Sequence, residues 1–363
     1  MLFSAIVTGC GSGKSAADQS KKQTTITVWV HPFVTDPDAS KKMWDGYAEE
    51  FEHQNPNIKV NIQNIPWANR DQRMLTAFSA GKGPDVVYLI PDHLSQFGTM
   101  GIVEPLDNLI SDDVKNDYYP NALKAATIGG KLYGLPMLET AEGWFYNLDL
   151  LKQAGWNTNK LPETWDEFLA MCKMVKDKTG KFGTTMELGG TANMTYYPYL
   201  WQAGGDILDK DGKTVIDSEA TRRSMEFLKT IYQNGYAPQD SITTSDGSAH
   251  KGLIKDGQVA CVFSDTFIVD AKDYKFDWAL GPVLKDKNQA TYGTIGSWSI
   301  SHNSPNKEAA AKWITFLTSP EQMEPFLKAT KYFPPRKALK DMYKDDAVMN
   351  KLAGQVQYVS VGV

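Results

Sequence analysis

Thr24-Thr-Ile-Thr-Val-Trp-Val30 predicts the first strand of the chain, because β-branched and aromatic residues alternate there with the period of two that a strand requires. Pro32 ends this strand, and residues 41–54 then place apolar side chains on one stripe, which predicts a helix. The pattern continues through a strand over 58–65, a helix over 71–80 and a buried strand over 85–90. This alternation predicts an α/β domain with a largely parallel sheet.

Helix signals follow in the rest of the chain. Thr164-Trp-Asp-Glu167 is a capping box that predicts a helix through about residue 178, and Ser218 predicts the start of another through about 234. Ser304-Pro305 predicts a helix with Pro at its first position, and Thr318-Ser-Pro-Glu321 predicts the start of the next.

Length and charge narrow the class of protein. The chain has 363 residues and a net charge of −5, and its length predicts two domains or one divided domain. A mildly acidic chain without a long basic run is not expected to bind nucleic acid. No apolar run in the interior approaches the roughly 20 residues of a membrane span. The scattered His and Cys residues show no metal-ligand spacing, so we expect neither a metal nor a cofactor.

Cys10 stands between an apolar, uncharged stub and a polar linker. Val7-Thr8-Gly9-Cys10 resembles the lipobox of a bacterial lipoprotein signal peptide, in which Gly9 would be the last residue removed and Cys10 would carry palmitate. The stub is short and lacks a basic start, so residues 1–23 are interpreted as a truncated signal and flexible linker. The expectation is a lipid-anchored protein on the extracellular face of the cytoplasmic membrane. An ordinary disordered terminus with a chance Cys is the alternative.

Several segments, in a common order, resemble the sugar-binding extracellular solute-binding proteins of ABC importers, the maltose-binding-protein-like group. They are Ile26-Thr-Val-Trp-Val30, Gly83-Pro-Asp-Val-Val-Tyr88, Gly101-Ile-Val-Glu-Pro-Leu106, Leu132-Tyr-Gly-Leu-Pro136, Phe145-Tyr-Asn-Leu-Asp-Leu-Leu151, Ala203-Gly-Gly-Asp206, Gly293-Thr-Ile-Gly-Ser-Trp-Ser-Ile300 and Ser304-Pro-Asn-Lys-Glu-Ala-Ala310.

The resemblance implies a two-lobed, class II periplasmic-binding-protein-like α/β fold, with a mixed, mostly parallel sheet in each lobe. Crossing strands are expected near 136–142 and 293–299. Lobe one would then comprise 24–137 plus 294–330, and lobe two 138–293 plus 331–363. The implied function is that of a monomer that captures a mono- or oligosaccharide and delivers it to the transmembrane subunits of an ABC permease, without enzymatic activity.

We expect ligand-binding residues just past the predicted strand ends, where open α/β sheets bind ligands, and at the crossings. A sugar needs aromatic faces for its C–H groups and polar groups for its hydroxyls. The candidates are His31, Trp67, Asp92, His93, Glu139, Glu142, Trp144, Tyr196, Tyr197, Asp265, Phe267 and Trp298. The resemblance places Asp92, Tyr197 and Phe267 at ligand-contacting positions. It also places His93 and Phe267 where the maltose receptor has Arg and Trp, which argues against maltose itself.

Two other functions remain open at the level of sequence. The same receptor fold could bind a polyol, glycerol phosphate or a peptide, although none of the five arginines lies at a predicted strand end to hold a phosphate. A secreted glycoside hydrolase would need an acid and base pair drawn from Glu139, Glu142, Asp92 and Asp265. Glu139 and Glu142 are too close along the chain to favour such a pair.

Overall fold

The computed structural model describes residues 23–34, 36–67, 69–190, 192–209, 212–244, 247–265 and 267–361. The strands are β1 Thr24–Val30, β2 Ile58–Asn64, β3 Val86–Leu89, β4 Thr127–Ile128, β5 Lys131–Leu132, β6 Leu135–Glu139, β7 Gly143–Asn147, β8 Cys261–Ser264, β9 Trp278–Leu280, β10 Thr291–Tyr292, β11 Ile295–Ile300 and β12 Val359–Ser360. The α-helices are α1 Pro37–Gln54, α2 Arg70–Ser79, α3 Pro91–Thr99, α4 Asp112–Asn116, α5 Pro120–Ala125, α6 Leu148–Ala154, α7 Trp165–Thr179, α8 Ala192–Gln202, α9 Glu219–Gln233, α10 Lys251–Lys255, α11 Phe267–Asp270, α12 Lys307–Leu317, α13 Pro320–Thr330 and α14 Ala347–Ala353.

The first sheet has the strand order β2-β1-β3-β11-β6. β1 pairs in parallel with β2 and with β3, whereas β11 runs antiparallel to both β3 and β6. Ile26 and Val28 of β1 are fully buried beneath α1 and α12, which contribute Trp44, Phe51 and Trp313 to the same core. We refer to the part of the chain built around this sheet as lobe one.

Helix α1 begins one turn earlier than the predicted residue 41. Asp36 caps it, because its carboxylate accepts hydrogen bonds from the backbone N–H groups of Asp38 (2.9 Å) and Ala39 (3.1 Å). Pro37 occupies the first helical position, where its missing N–H costs no hydrogen bond.

The second sheet has the order β8-β7-β9, and we refer to the part built around it as lobe two. Both pairings in this sheet are antiparallel, which differs from the mostly parallel sheet expected for lobe two. Beside it, α7 begins with the predicted capping box of Thr164 and Glu167. Its Trp165 stacks on Phe227 of α9 with ring centroids 4.3 Å apart, so α7 and α9 share one core.

Helix α12 begins at Lys307, later than the predicted Ser304-Pro305. The Ser304 hydroxyl donates instead to the Asp85 carboxylate and accepts from the backbone N–H of Asn306 (3.0 Å). These bonds hold a turn before the helix.

Three segments of the chain lie side by side where the two lobes meet. The backbone N–H of Thr140 donates to the carbonyl of Thr294 (2.9 Å), and Glu139 and Phe333 form a reciprocal backbone pair. Thr140 and Thr294 lie within the stretches expected to cross between the lobes, whereas no sequence pattern predicts a crossing at Phe333. The lobe boundaries given above remain a proposal.

No helix among the described residues is long and apolar enough to span a membrane. Cys172 and Cys261 are buried, and neither takes part in a disulfide. Cys10 and the rest of the predicted signal lie outside the described residues.

Candidate functional site

The carboxyl ends of three neighbouring strands form one wall of the candidate site. His31 follows β1, Trp67 follows β2, and Asp92 and His93 open α3 just after β3. Because β2, β1 and β3 are parallel and adjacent, their ends meet at one edge of the sheet, as expected for a ligand site in an open α/β sheet.

His31 is 1% exposed and lies flat against Trp67, with ring centroids 4.3 Å apart and ring planes 19° apart. Its Nδ1 lies 2.8 Å from the Ile65 carbonyl oxygen, which can only accept, so Nδ1 carries the proton. Burial, reinforced by the positive charge of Arg70, lowers the pKa of His31 to about 3. His31 is therefore neutral at physiological pH, with Nε2 as an acceptor.

Trp67 is half-buried and is fixed by its surroundings. Its indole N–H donates to the carbonyl of Pro32 (3.2 Å), and the guanidinium of Arg70 lies 5.1 Å from its ring centroid. These contacts and the stacked His31 ring hold Trp67 in place, and its exposed edge can contact the C–H groups of a ligand.

Asp92 and His93 have different environments although they are adjacent. The Nε2 of His93 lies 2.8 Å from the Asp71 carboxylate, and this hydrogen bond is the main reason that the pKa of Asp71 is lowered. Asp92 is half-buried, and its burial raises its pKa. Asp71 therefore orients His93. The charge of Asp92 acts on Tyr197 of lobe two instead.

The connecting segment after β6 supplies Glu139 and Glu142. Glu139 is half-buried, and burial raises its pKa. Glu142 is 1% exposed; burial, together with the charges of Asp265 and Glu187, raises its pKa well above the ordinary value. Its backbone N–H donates to the carbonyl of Tyr292 (2.9 Å), so the segment at 291–292 fixes its position.

Asp265 follows β8 directly and forms the opposite wall. The Tyr332 hydroxyl donates a hydrogen bond to it, and burial together with the charge of Asp265 raises the pKa of Tyr332. Tyr332 belongs to the third connecting segment, so this bond ties the wall of lobe two to the junction.

Two electrostatic contacts cross from one lobe to the other. Burial mainly raises the pKa of Tyr88 on β3, and the charge of Asp265 raises it further. Burial also raises the pKa of Tyr197 on α8, and there the additional charge is that of Asp92. The ends of β3 and β8 therefore face each other across a cleft, and Asp92 faces Tyr197.

Four of the predicted contacts pack in the hydrophobic cores, because each aromatic ring is enclosed by other rings or helices. Trp298 is fully buried between Trp44 and Tyr88, and Phe267 stacks on Phe145 with centroids 4.6 Å apart. Trp144 packs on Phe168 and Phe263, and Tyr196 packs in the core around α7 and α9. Their role as ligand contacts stays a prediction, and the proposal below does not depend on it.

Sequence reasoning missed several side chains of the cleft. Arg70 follows no strand directly, yet as the first residue of α2 it lies over Trp67. The others are Tyr88, Glu187, Tyr292 and Tyr332, whose pKa values or charges couple them to Asp92, Glu142 or Asp265. Tyr88 could have been found because it precedes Asp92 on the same strand end. No local sequence pattern around Tyr332 predicts that it lies in the cleft.

An open depression of about 1510 Å³ lies on lobe two, outside this cleft. It is lined by Trp201, Asp206, Lys287 and the segment at 358–361, among others. Within the described residues its lining lacks Asp92, Glu142 and Asp265. The candidate site is therefore identified by the carboxylates that act on common neighbours in the cleft, and not by the volume of this depression.

Comparison with known proteins agrees with the arrangement of two lobes around a cleft. A protein of Brucella abortus described as a binding protein is 29% identical over 306 residues, which cover 82% of this chain and 74% of that protein. The galactooligosaccharide-binding protein of Bacillus subtilis is 25% identical, with coverage of 98% and 83%. A maltose-bound protein from T. maritima has a TM-score of 0.81 and 25% identity, with coverage of 94% and 89%.

The family model described as bacterial extracellular solute-binding protein matches residues 38–324, which is most of the chain. That family consists of binding proteins that act outside the cytoplasmic membrane, rather than enzymes. This chain belongs to the family of bacterial extracellular solute-binding proteins.

Proposed function

We propose that this chain is the substrate-binding protein of an ABC importer and that it holds a sugar or short oligosaccharide in the cleft between its lobes. The observation that carries the proposal is the convergence of Asp92, Glu142 and Asp265 with the ordered ring of Trp67. Carboxylates accept from sugar hydroxyls, and an aromatic ring covers the C–H face. The galactooligosaccharide-binding and maltose-bound relatives support this ligand class.

Ligand capture would act through the relative position of the lobes. Asp92 and Trp67 lie on lobe one, whereas Asp265 and Tyr197 lie on lobe two, so a ligand that contacts both walls favours the closed arrangement. The three connecting segments at the junction are the short backbone stretches about which closure would occur. The closed form would then dock on the transmembrane subunits of the permease, and we propose that the protein does so as a monomer.

Calorimetric titration against a panel of mono- and oligosaccharides tests the ligand class. We expect at least one carbohydrate to bind, and we expect Asp92→Asn and Asp265→Asn each to weaken that binding by about tenfold, because each removes a charge-assisted hydrogen bond. Glu226→Gln, on the exposed face of α9, serves as the matched control and should bind as the wild type does. If no carbohydrate binds, the proposed ligand class is wrong.

We also propose that Cys10 carries the lipid anchor, since Val7-Thr8-Gly9-Cys10 has the lipobox pattern and a polar linker follows it. One acyl chain gives only marginal membrane binding, so stable attachment requires a multiply acylated Cys. Expressing cells labelled with a palmitate analogue should incorporate label in the wild type and lose it in Cys10→Ser. Equal labelling of both proteins would exclude Cys10 as the acylation site.

A further inference from the structure

Arg70 is a basic side chain that lies against the predicted ligand contacts of lobe one. It is the first residue of α2, and its guanidinium lies 5.1 Å from the ring centroid of Trp67. Trp67 in turn stacks on His31 and meets the ring of Tyr88 edge-on, with ring centroids 6.2 Å apart. The contacts that fix Trp67 therefore bring Arg70 to the edge of the sheet where β1 and β3 end.

A shared carboxylate links Arg70 to the start of α3. Asp71 accepts a hydrogen bond from Nε of Arg70 (3.3 Å), and Nε2 of His93 lies 2.8 Å from the same carboxylate oxygen. His93 directly follows Asp92 in the first turn of α3. Two hydrogen bonds therefore connect Arg70 to the turn that carries Asp92.

The terminal N–H groups of Arg70 are not used within the described part of the chain. The side chain is 14% exposed, so most of it is removed from water. Its Nε donates to Asp71, whereas Nη1 and Nη2 have no hydrogen-bond partner among the described residues. Removing polar groups from water without a partner is costly, and acceptor atoms of a ligand would relieve that cost.

The positive charge of Arg70 also acts on groups of the cleft. Burial raises the pKa of Asp92, and the charges of His93 and Arg70 oppose that rise. Burial likewise raises the pKa of Tyr292, where Arg70 again opposes the rise. The carbonyl of Tyr292 accepts from the backbone N–H of Glu142 at the junction. The guanidinium is therefore close enough to the junction to act on it.

The neighbouring carboxylates favour uncharged acceptors for Arg70. Asp71 is ionised at neutral pH, because its hydrogen bond with His93 lowers its pKa. A phosphate or a sugar carboxylate would meet the negative charge of Asp71 and the half-buried carboxyl group of Asp92. Hydroxyl oxygens accept hydrogen bonds without that repulsion, and the planar fork of a guanidinium matches acceptor atoms that lie side by side.

We propose that Arg70 is a ligand-binding residue whose terminal N–H groups donate hydrogen bonds to two adjacent hydroxyl oxygens of the sugar. This inference rests on the proposed function, and it adds a requirement for a pair of neighbouring free hydroxyl groups. Asp71 holds the guanidinium through Nε, which leaves the terminal N–H groups for the sugar. Trp67 supports the guanidinium by a cation–π contact.

The test titrates maltotriose, galactotriose and arabinotriose into the full chain by calorimetry. If none of them binds, the tightest-binding carbohydrate of the panel described above takes their place. We expect Arg70→Gln to weaken binding at least about tenfold, because it removes charge-assisted hydrogen bonds. Arg70→Lys keeps the charge but loses the fork, so it should recover only part of the affinity. Arg73→Gln, exposed on the same helix, is the matched control and should bind as the wild type does.

Monodeoxy derivatives of the sugar that binds distinguish a ligand contact from mere support of Trp67. If Arg70 donates to two hydroxyl groups, the loss from removing either hydroxyl and the loss from Arg70→Gln should not add. A residue that only positions Trp67 would weaken the parent sugar and every deoxy derivative by the same factor, and that result would overturn the inference. Binding of glucuronate or inorganic phosphate that is tighter than that of the parent sugar and depends on Arg70 would also overturn it.

The outcomes separate this inference from the proposed function. If the wild type binds a sugar and Arg70→Gln binds it equally well, the inference is wrong and the proposed function stands. If the wild type binds no carbohydrate, both are wrong. If Arg70→Gln does not fold, Arg70→Lys decides, because its loss of affinity must then be smaller on the two deoxy derivatives than on the parent sugar.

Discussion

At the residue scale, folding buries the His31 side chain away from water and gives its Nδ1–H a hydrogen bond to the Ile65 carbonyl. Its pKa is about 3 in the folded protein and about 6.5 in the unfolded chain, so the unfolded state binds more protons between these values. The free energy of unfolding therefore rises with pH through this window. The contribution is fully present above pH 6.5, and it falls by about 1.4 kcal/mol for each pH unit below that.

We therefore expect the wild type to lose about 2 kcal/mol more unfolding free energy than His31→Gln when the pH falls from 7 to 5. Gln keeps a donor for the Ile65 carbonyl and cannot titrate. Denaturant unfolding of both proteins at the two pH values measures the difference, with the exposed His53→Gln as control. Equal losses in wild type and His31→Gln would show that His31 does not titrate as described.

The place of a candidate residue in the fold was predictable from sequence where a strand end alone defined it. Asp92 and Trp67 follow strand ends, and the polarity of Asp92 removes the alternative of a core role. The role of the aromatic candidates could not be decided from sequence, since Trp298 and Phe267 fit a core position and a cleft position equally well. Only the neighbours that a ring packs against, such as Trp44 for Trp298, decide between them.

At the scale of elements, β11 is an interior strand that joins β6 to the rest of the lobe-one sheet. It lies between β3 and β6 and packs over Tyr88 of β3. Gly296 allows this packing, because a Cβ atom at that position would overlap the Tyr88 hydroxyl. The Tyr88 ring is held inside the cleft wall and cannot move freely away, since it also contacts Trp298 and Phe33.

We expect Gly296→Ala to lower the free energy of unfolding by about 1–3 kcal/mol and to weaken sugar binding, because Tyr88 must shift. Thermal or denaturant unfolding and calorimetry measure the two effects. Gly46→Ala is the matched control, since nothing lies within 4 Å of its added Cβ in α1, and it should raise stability by about 0.5–1 kcal/mol. A Gly296→Ala protein as stable as the wild type would contradict the close approach.

Elements with strong local patterns were predicted well, and elements defined by distant partners were not. β1 agrees with its predicted bounds because its alternation is complete, and α7 agrees at its start because the capping box is local. The antiparallel second sheet was missed because β7 pairs with β8 and β9, which lie far along the chain. No local pattern encodes the direction of such a pairing.

At the scale of the whole molecule, the site exists only when both lobes contribute to it. We expect a bound sugar to slow hydrogen exchange at residues 29–33 and 65–67 of lobe one and at 261–265 of lobe two together, because each wall would be ordered by the same ligand. Exchange in α9, on the outer side of lobe two, should be unchanged. Hydrogen–deuterium exchange with mass spectrometry measures this, and slowing confined to one lobe would contradict capture between the two.

The place of β11 also governs how the chain reaches its native state. Its neighbours β3 and β6 are synthesised long before it, so the sheet of lobe one cannot be completed until residue 300 is available. Contacts between such distant segments form slowly, because chain entropy must be lost before they form. A newly made chain therefore keeps an unfinished sheet through most of its synthesis. Because proteins of this family act outside the cytoplasmic membrane, such a delay would lengthen the interval in which export can begin ahead of folding.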